Sequence, residues 1–188
     1  TGTKPVSVDG TLLISASDDT ENWALAGNIS ISSKAAVGIA NVTTITNNTI
    51  EAYLGDNIIV TARGNGIGLS AFTGNKVDGK RSTENVKGLA VVAVSFEEID
   101  SFAVAGSGGG KVGVAGSASV SVLNETTKAT IGTGAKVNSG DNSGASTNQS
   151  VLLRAMDDTE LSGLGGGAGL GLSTAGIGAG IDVAVITK

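Results

Sequence analysis

The chain has 188 residues, thirty of them glycine, with no cysteine, no histidine, one proline and five aromatics (Trp23, Tyr53, Phe72, Phe96, Phe102). Without cysteine there are no disulfides or thiolate metal sites, and without histidine there is no Ser-His-Asp catalysis and no access to the commonest general base. Twelve basic against seventeen acidic residues, a net charge of −5, do not supply the clustered positive charge that nucleic-acid binding needs.

Taken in chain order, the predicted elements are strands. Pro5 stands alone, which argues against a disordered Pro/Gly linker. Leu12–Glu21 is an apolar run ending in Asp18-Asp19-Thr20-Glu21, followed near Gly27 by a Gly/Ala-rich alternating stretch. Val37, Ile39, Asn41, Thr43 and Ile45 then share one face of a period-two pattern, the signature of a strand. Thr49–Gly55 leads into turn residues at Gly55-Asp56-Asn57 and Gly64-Asn65-Gly66. Gly74–Lys87 is charged (Lys76, Asp78, Lys80, Arg81, Glu84, Lys87) and reads as a protruding loop, with or without a helical turn.

The opening pattern then returns. Val91–Asp100 repeats Leu12–Glu21, and Val151–Glu160 repeats it again, each followed by a Gly-rich stretch near Gly106 and Gly165. Val112, Val114, Gly116, Ala118, Val120 and Val122 echo the first alternating face; Ile177, Ala179, Ile181, Val183 and Val185 echo it again. Thr126–Gly132 matches Thr49–Gly55, and Asn138–Ser150 is a solvated polar loop. Leu164–Ile181 is uncharged and long enough to span a bilayer, but its eight glycines favour a β stretch. The whole is read as all-β, one β-solenoid segment over 1–188. Its copies run at about 6–57, 90–137 and 151–188, with an inserted loop or extra coil at about 58–89 and a polar loop at 138–150. Asp18 to Glu97 is 79 positions and Glu97 to Asp157 is 60. The difference is near the roughly 20-residue repeat of many solenoids, which gives about three coils per copy and about eight or nine in all. The third copy stops partway, so the segment is expected to lack its native end caps, and any export leader is expected to lie outside it.

An apolar strand ending in Asp-Asp-Thr-Glu, an Ala/Gly-rich strand, a Val-rich strand and Thr-x-Lys-Ala-x-Ile-Gly together resemble the repeats of leukotoxin-type large filamentous adhesins. These are filamentous-haemagglutinin-like exoproteins of bacteria exported by two-partner secretion. The resemblance implies a right-handed parallel β-helix, an outer-membrane export partner, a secreted or cell-surface location and a virulence role in adhesion. It carries over no catalytic residue.

The chemical motifs are read against this background. The acidic runs at Asp18, Glu97 and Asp157 are expected to mark one repeated solvated turn; they would bind calcium only if coils aligned them. The calcium β-roll nonapeptide is not matched at Gly166–Gly171. Ala105–Val112 lacks the first glycine and the Ser/Thr of a phosphate loop. Asp19, Glu98 and Asp158 fall about three or four coils apart on this count, too far for a glycosidase pair, so no enzyme, cofactor or metal site is expected. Trp23 and Phe102 occupy one repeat position and are read as core, with an exposed sugar-stacking ladder as the alternative. Acceptor-like triplets begin at Asn28, Asn41, Asn47, Asn124 and Asn148, and Asn stacking at turns explains them equally. The expected function is the shaft or adhesive segment of a surface adhesin, with a host-cell protein or glycan as partner. Lys76, Lys80, Arg81 and Lys87 are its candidate contacts. The alternative is a membrane-acting, leukotoxin-like toxin segment in which Leu164–Ile181 enters host bilayers.

Overall fold

The structure, a computed structural model, describes residues 5–188. Among them there is no helix, and the strands pair in parallel apart from one hairpin. The strands are β1 (Val6–Val8), β2 (Leu12–Ser17), β3 (Thr20–Ser32), β4 (Ala35–Leu54), β5 (Ile59–Ala62), β6 (Leu69–Val77), β7 (Lys80–Val86), β8 (Gly88–Gly109), β9 (Val112–Ile131), β10 (Lys136–Val137), β11 (Ser150–Gly171) and β12 (Ala175–Thr187). They form sheets β1-β5-β10, β2/β3-β8-β11 and β4-β9-β12, with β6 and β7 antiparallel. Leu164–Ile181 is thus the end of β11, a turn and the start of β12.

Register shows how the copies meet. Leu12 lies opposite Leu89 and Thr20 opposite Glu97, so each partner is 77 residues further on. Ala175 lies opposite Val112, 63 residues further on. Each copy therefore places its strands directly beside those of the next copy, and the expected division of a copy into three stacked coils does not occur. The first echo also moves by two residues, because Leu12 faces Leu89 rather than Val91. A shift of two preserves which side chains share a face, so a repetitive Val/Ala strand hides it.

The chain divides into two compact units. The first holds residues up to Asp19, Thr49–Phe96 and Thr126–Thr159; the second holds Thr20–Asn48, Glu97–Glu125 and Glu160–Lys188.

In the first unit, three parallel sheets share one apolar core. Val60 and Ala62 come from β5, Leu89, Val91 and Ala93 from β8, and Ile50, Ala52 and Leu54 from β4. The segment expected at 58–89 as a loop or extra coil is neither alone. It contains β5, a short connection and the β6–β7 hairpin, whose Asp78-Gly79 tip takes positive φ at both residues (50° and 71°). That backbone matches the two-residue hairpin turns that suit the right-handed twist of paired strands. The hairpin does not protrude. Ala71, Phe72 and Val86 cover Ala90, Val92, Val94 and Phe96 on the outer side of β8.

Residues 138–149 carry no strand, and Ser150 opens β11. This segment continues beside β5 beyond the end of β10 with side chains: Ala62 N–H donates to Asn138 Oδ1 at 2.9 Å, and Gln149 Nε2 donates to the Ala62 carbonyl at 2.6 Å. Within it, the Ser143 hydroxyl and N–H donate to Asp141 Oδ1 at 2.6 and 3.0 Å, holding that carboxyl below its ordinary pKa. A depressed carboxyl contributes stability above its unfolded pKa, and the contribution is lost as pH falls through the folded value.

In the second unit, sheets β3-β8-β11 and β4-β9-β12 face one another across a thin interior. The inward residues are small: Ala36, Ala40, Thr44 and Thr46 on β4, Ser101, Ala103, Ala105 and Ser107 on β8, and Ala115, Ser117, Ser119 and Ser121 on β9. Single serine side chains bridge the gap. Ser119 Oγ donates to the Ser101 carbonyl at 2.9 Å, and Ser117 Oγ reaches the carbonyls of Ala103 and Gly166 at 2.8 and 2.9 Å. The layers are therefore closer than the roughly 10 Å of ordinary stacked sheets. Ser101 Oγ also meets Thr44 Oγ1 at 3.0 Å and Ser121 Oγ at 3.1 Å. Ser101→Ala removes the partner of both buried hydroxyls and is expected to cost about 2 kcal/mol, measured as a shift in the urea midpoint at constant m-value.

Candidate partner-binding surface

The hairpin is where the four candidate contacts lie, and the structure separates them. Lys80 sits beside the Asp78-Gly79 tip, exposed, opposite Val77. Lys76 faces Arg81 across the strands and is half-buried. Arg81 is engaged inward: its guanidinium pairs with Asp19 and lies over the Phe96 ring, 4.6 Å from the centroid. Lys87 is at the foot of the hairpin, where its carbonyl accepts from Ser150 N–H at 2.8 Å and Ser150 Oγ at 2.9 Å. The tip thus presents Lys80 to solvent and leaves Lys76 half-exposed, while Arg81 is turned inward and Lys87 stands at the foot, where its backbone is paired with Ser150.

Further contacts hold the body of the hairpin in place. Arg154 Nη1, from β11, pairs with Glu84 and donates to the Phe72 carbonyl at 3.1 Å. Gly74, at φ 85°, lies so close to Met156 that a Cβ there would come within 2.6 Å of Met156 Cγ. Phe72 and Phe96 meet edge to face at 6.5 Å between centroids. Two ion pairs, an aromatic pair and an apolar underside make this a rigid platform of the kind that places contact residues well.

Of the acidic runs only the first begins in a turn as expected: Asp18 and Asp19 separate β2 from β3 and Asp19 is exposed, whereas the second and third lie inside strands β8 and β11. Glu97 lies within β8 and is fully buried, and Glu125 in β9 is buried as well. The runs also lie on neighbouring strands rather than several coils apart, with Glu21 directly opposite Glu98. Trp23 is not core: it is 63% exposed and faces Asp100, while Phe102 faces Leu25. The phosphate-loop look of Ala105–Val112 has a structural cause. It is the bend from β8 into β9, where a Cβ on Gly110 would come within 2.8 Å of the Ser33 backbone carbon.

Sequence alternation did not reveal which face points inward. In the second unit the large residues point out: Leu25, Ile29 and Ile31 on β3, Val37, Ile39 and Ile45 on β4, Ile177 and Ile181 on β12. Over β8 the bare backbone of Gly106 leaves a trough of about 570 Å³ bordered by Ile29, Val104 and Ala168. Beside Gly108 and Gly110 lies a second, of about 370 Å³, bordered by Ile31, Leu170 and Leu172. Exposed apolar surface this continuous is uncommon on monomeric soluble proteins and marks contact surfaces.

No protein-family model, curated protein or solved structure matches the chain.

Proposed function

We propose that the chain is a segment of the shaft of a large secreted or surface-exposed bacterial adhesin of the filamentous-haemagglutinin type. In this reading it is a right-handed parallel β-helix in which each repeat copy makes one coil, and the parent protein leaves the cell through an outer-membrane partner. The observation that carries the proposal is the in-register parallel pairing of successive copies, Leu12 on Leu89 and Thr20 on Glu97. Pairing of that kind can be continued by any further copy, each burying the open edge of the last. The hairpin interrupts the repeat and supplies the specific contact with a host-cell protein or glycan through Lys76 and Lys80.

Two measurements test this. Ten tandem copies of the 88–149 unit, added in frame after Gln149, are expected to lengthen the particle by about 50 Å at about 4.8 Å per strand, read by small-angle scattering. A particle that grows in all directions instead would sink the shaft reading. Beads carrying the chain are expected to adhere to host epithelial cells at least about tenfold better than beads carrying Lys76→Glu/Lys80→Glu, a change in surface charge that leaves the fold intact. Equal adhesion would remove the hairpin from the contact.

The outward Val and Ile faces favour one second reading, a membrane-acting segment. Apolar-out, small-and-polar-in alternation is the pattern of strands in contact with lipid. Dye release from anionic liposomes by the purified chain would support it; an absence of release together with cell adhesion would leave the shaft reading alone.

A further inference from the structure

We infer that the first unit carries a site for a neutral sugar ring, in the cleft beside Tyr53. This rests on the adhesive reading only for its biological sense; the geometry stands apart from the hairpin. The cleft, of about 280 Å³, is lined by Glu51, Tyr53, Asp56, Lys128, Thr130 and the backbone of Gly55 and Gly132. It is small beside the roughly 300–1,000 Å³ of pockets for drug-sized ligands, which suits one ring rather than an extended molecule.

Three features give it chemistry. Tyr53, the only tyrosine, is 65% exposed on the outer face of β4. It offers an apolar body with a hydroxyl handle, the combination that seats a ring carrying both C–H faces and hydroxyls. Glu51 and Lys128 meet at 3.8 Å on the neighbouring strands, placing acceptors next to donors as a vicinal diol requires. Asp56 is held still: its Oδ1 accepts from the Thr133 N–H at 2.7 Å, so the carboxylate is aimed before a ligand arrives.

The floor is kept open by glycine. A Cβ on Gly132 would come within 2.6 Å of the Gly55 carbonyl carbon and Asp56 N–H nitrogen. Any side chain there would push the β4 and β9 ends apart and fill the concavity. The charge pattern selects the ligand class. Tyr53 with two carboxylates could attract an organic cation, but Lys128 stands inside the same cleft and pairs with Glu51, so a neutral polyol is the better fit.

The test is saturation-transfer-difference NMR on the whole chain, with methyl hexopyranosides and N-acetylhexosamine glycosides as probes and tetramethylammonium as the competing cation. Millimolar binding of at least one sugar is expected. Tyr53→Ala should weaken it at least about tenfold and Tyr53→Phe much less. Lys128→Ala should weaken it several-fold, with melting temperature unchanged in all three because these side chains are exposed. No transfer to any sugar, undiminished binding by Tyr53→Ala, or displacement of the sugar by tetramethylammonium would each overturn the site. Loss of sugar binding with cell adhesion intact would condemn the cleft and spare the adhesive reading. Sugar binding without cell adhesion would do the reverse.

Discussion

Gly113→Val should unfold or severely destabilise the second unit, while Gly116→Val, three residues along the same strand, should be tolerated. The two glycines point to opposite sides of β9. A Cβ on Gly113 would lie within 2.8 Å of the Leu170 carbonyl carbon and 2.9 Å of its nitrogen, whereas one on Gly116 meets nothing within 4 Å. The obstructing atoms at Gly113 are backbone, so no rotamer change relieves the clash; the sheets must part. Parting them would stretch the hydroxyl bridges at Ser117 and Ser119. Overpacking ordinarily costs about 1–3 kcal/mol and more where the surroundings cannot give, so a loss of about 3 kcal/mol or more is expected. At Gly116 a β-branched residue replaces a poor strand former on an outer face, and the expected change is neutral to about 1 kcal/mol stabilising. Urea denaturation of the two variants measures both. Equal effects would mean that the interior is not as thin as the serine bridges require.

Phe96→Ala is expected to cost about 4 kcal/mol, within the range for buried Phe→Ala changes. Phe96 is 1% exposed and is the anchor between sheet and hairpin: Phe72 meets it edge-on and Arg81 caps its face. Removing the ring also leaves the guanidinium over a cavity. A melting-temperature drop of about 8–16 °C follows for a chain of this size, together with faster proteolysis between residues 69 and 86 as the hairpin loosens. A drop under about 2 °C with unchanged proteolysis would mean that the hairpin is not seated on β8.

Both variants depend on details that the sequence carried unevenly. The match of Thr126–Gly132 to Thr49–Gly55 is the true structural spacing, because Gly132 N–H donates to the Leu54 carbonyl and Lys128 reaches Glu51. Its turn residues fix the alignment. The match of Val91 to Leu12 had no such marker, and the Val/Ala texture let it slip by two. The hairpin also has a signal in the strand that it covers. Leu89–Val94 is apolar at every position, whereas its partner ends Ser15-Ala16-Ser17. A strand apolar on both faces is one covered on both faces, and the cover was the segment just before it. Gly74–Lys87 reads as a loop because its charged residues are conspicuous, while the apolar residues that seat the hairpin are Ala71 and Phe72 just before it and Val86 near its end. The inward and outward faces of the second unit could not be assigned by hydrophobicity at all. There the buried side is chosen by side-chain size, with serine and threonine inside and isoleucine outside.

The 77-residue offset also sets an order of events in time. A strand such as β2 has no partner until β8 has been synthesised, and closing a loop of that length costs roughly 2–3 kcal/mol more than closing a four-residue turn. The β6–β7 hairpin is different. Among the described residues it is the one pair whose strands adjoin in sequence, so it can form within microseconds from its own segment. It precedes β8 in the chain by a single residue. As β8 emerges, its outer apolar face therefore meets a surface already built, and the slow long-range pairing with β2 begins from a strand that is held in place.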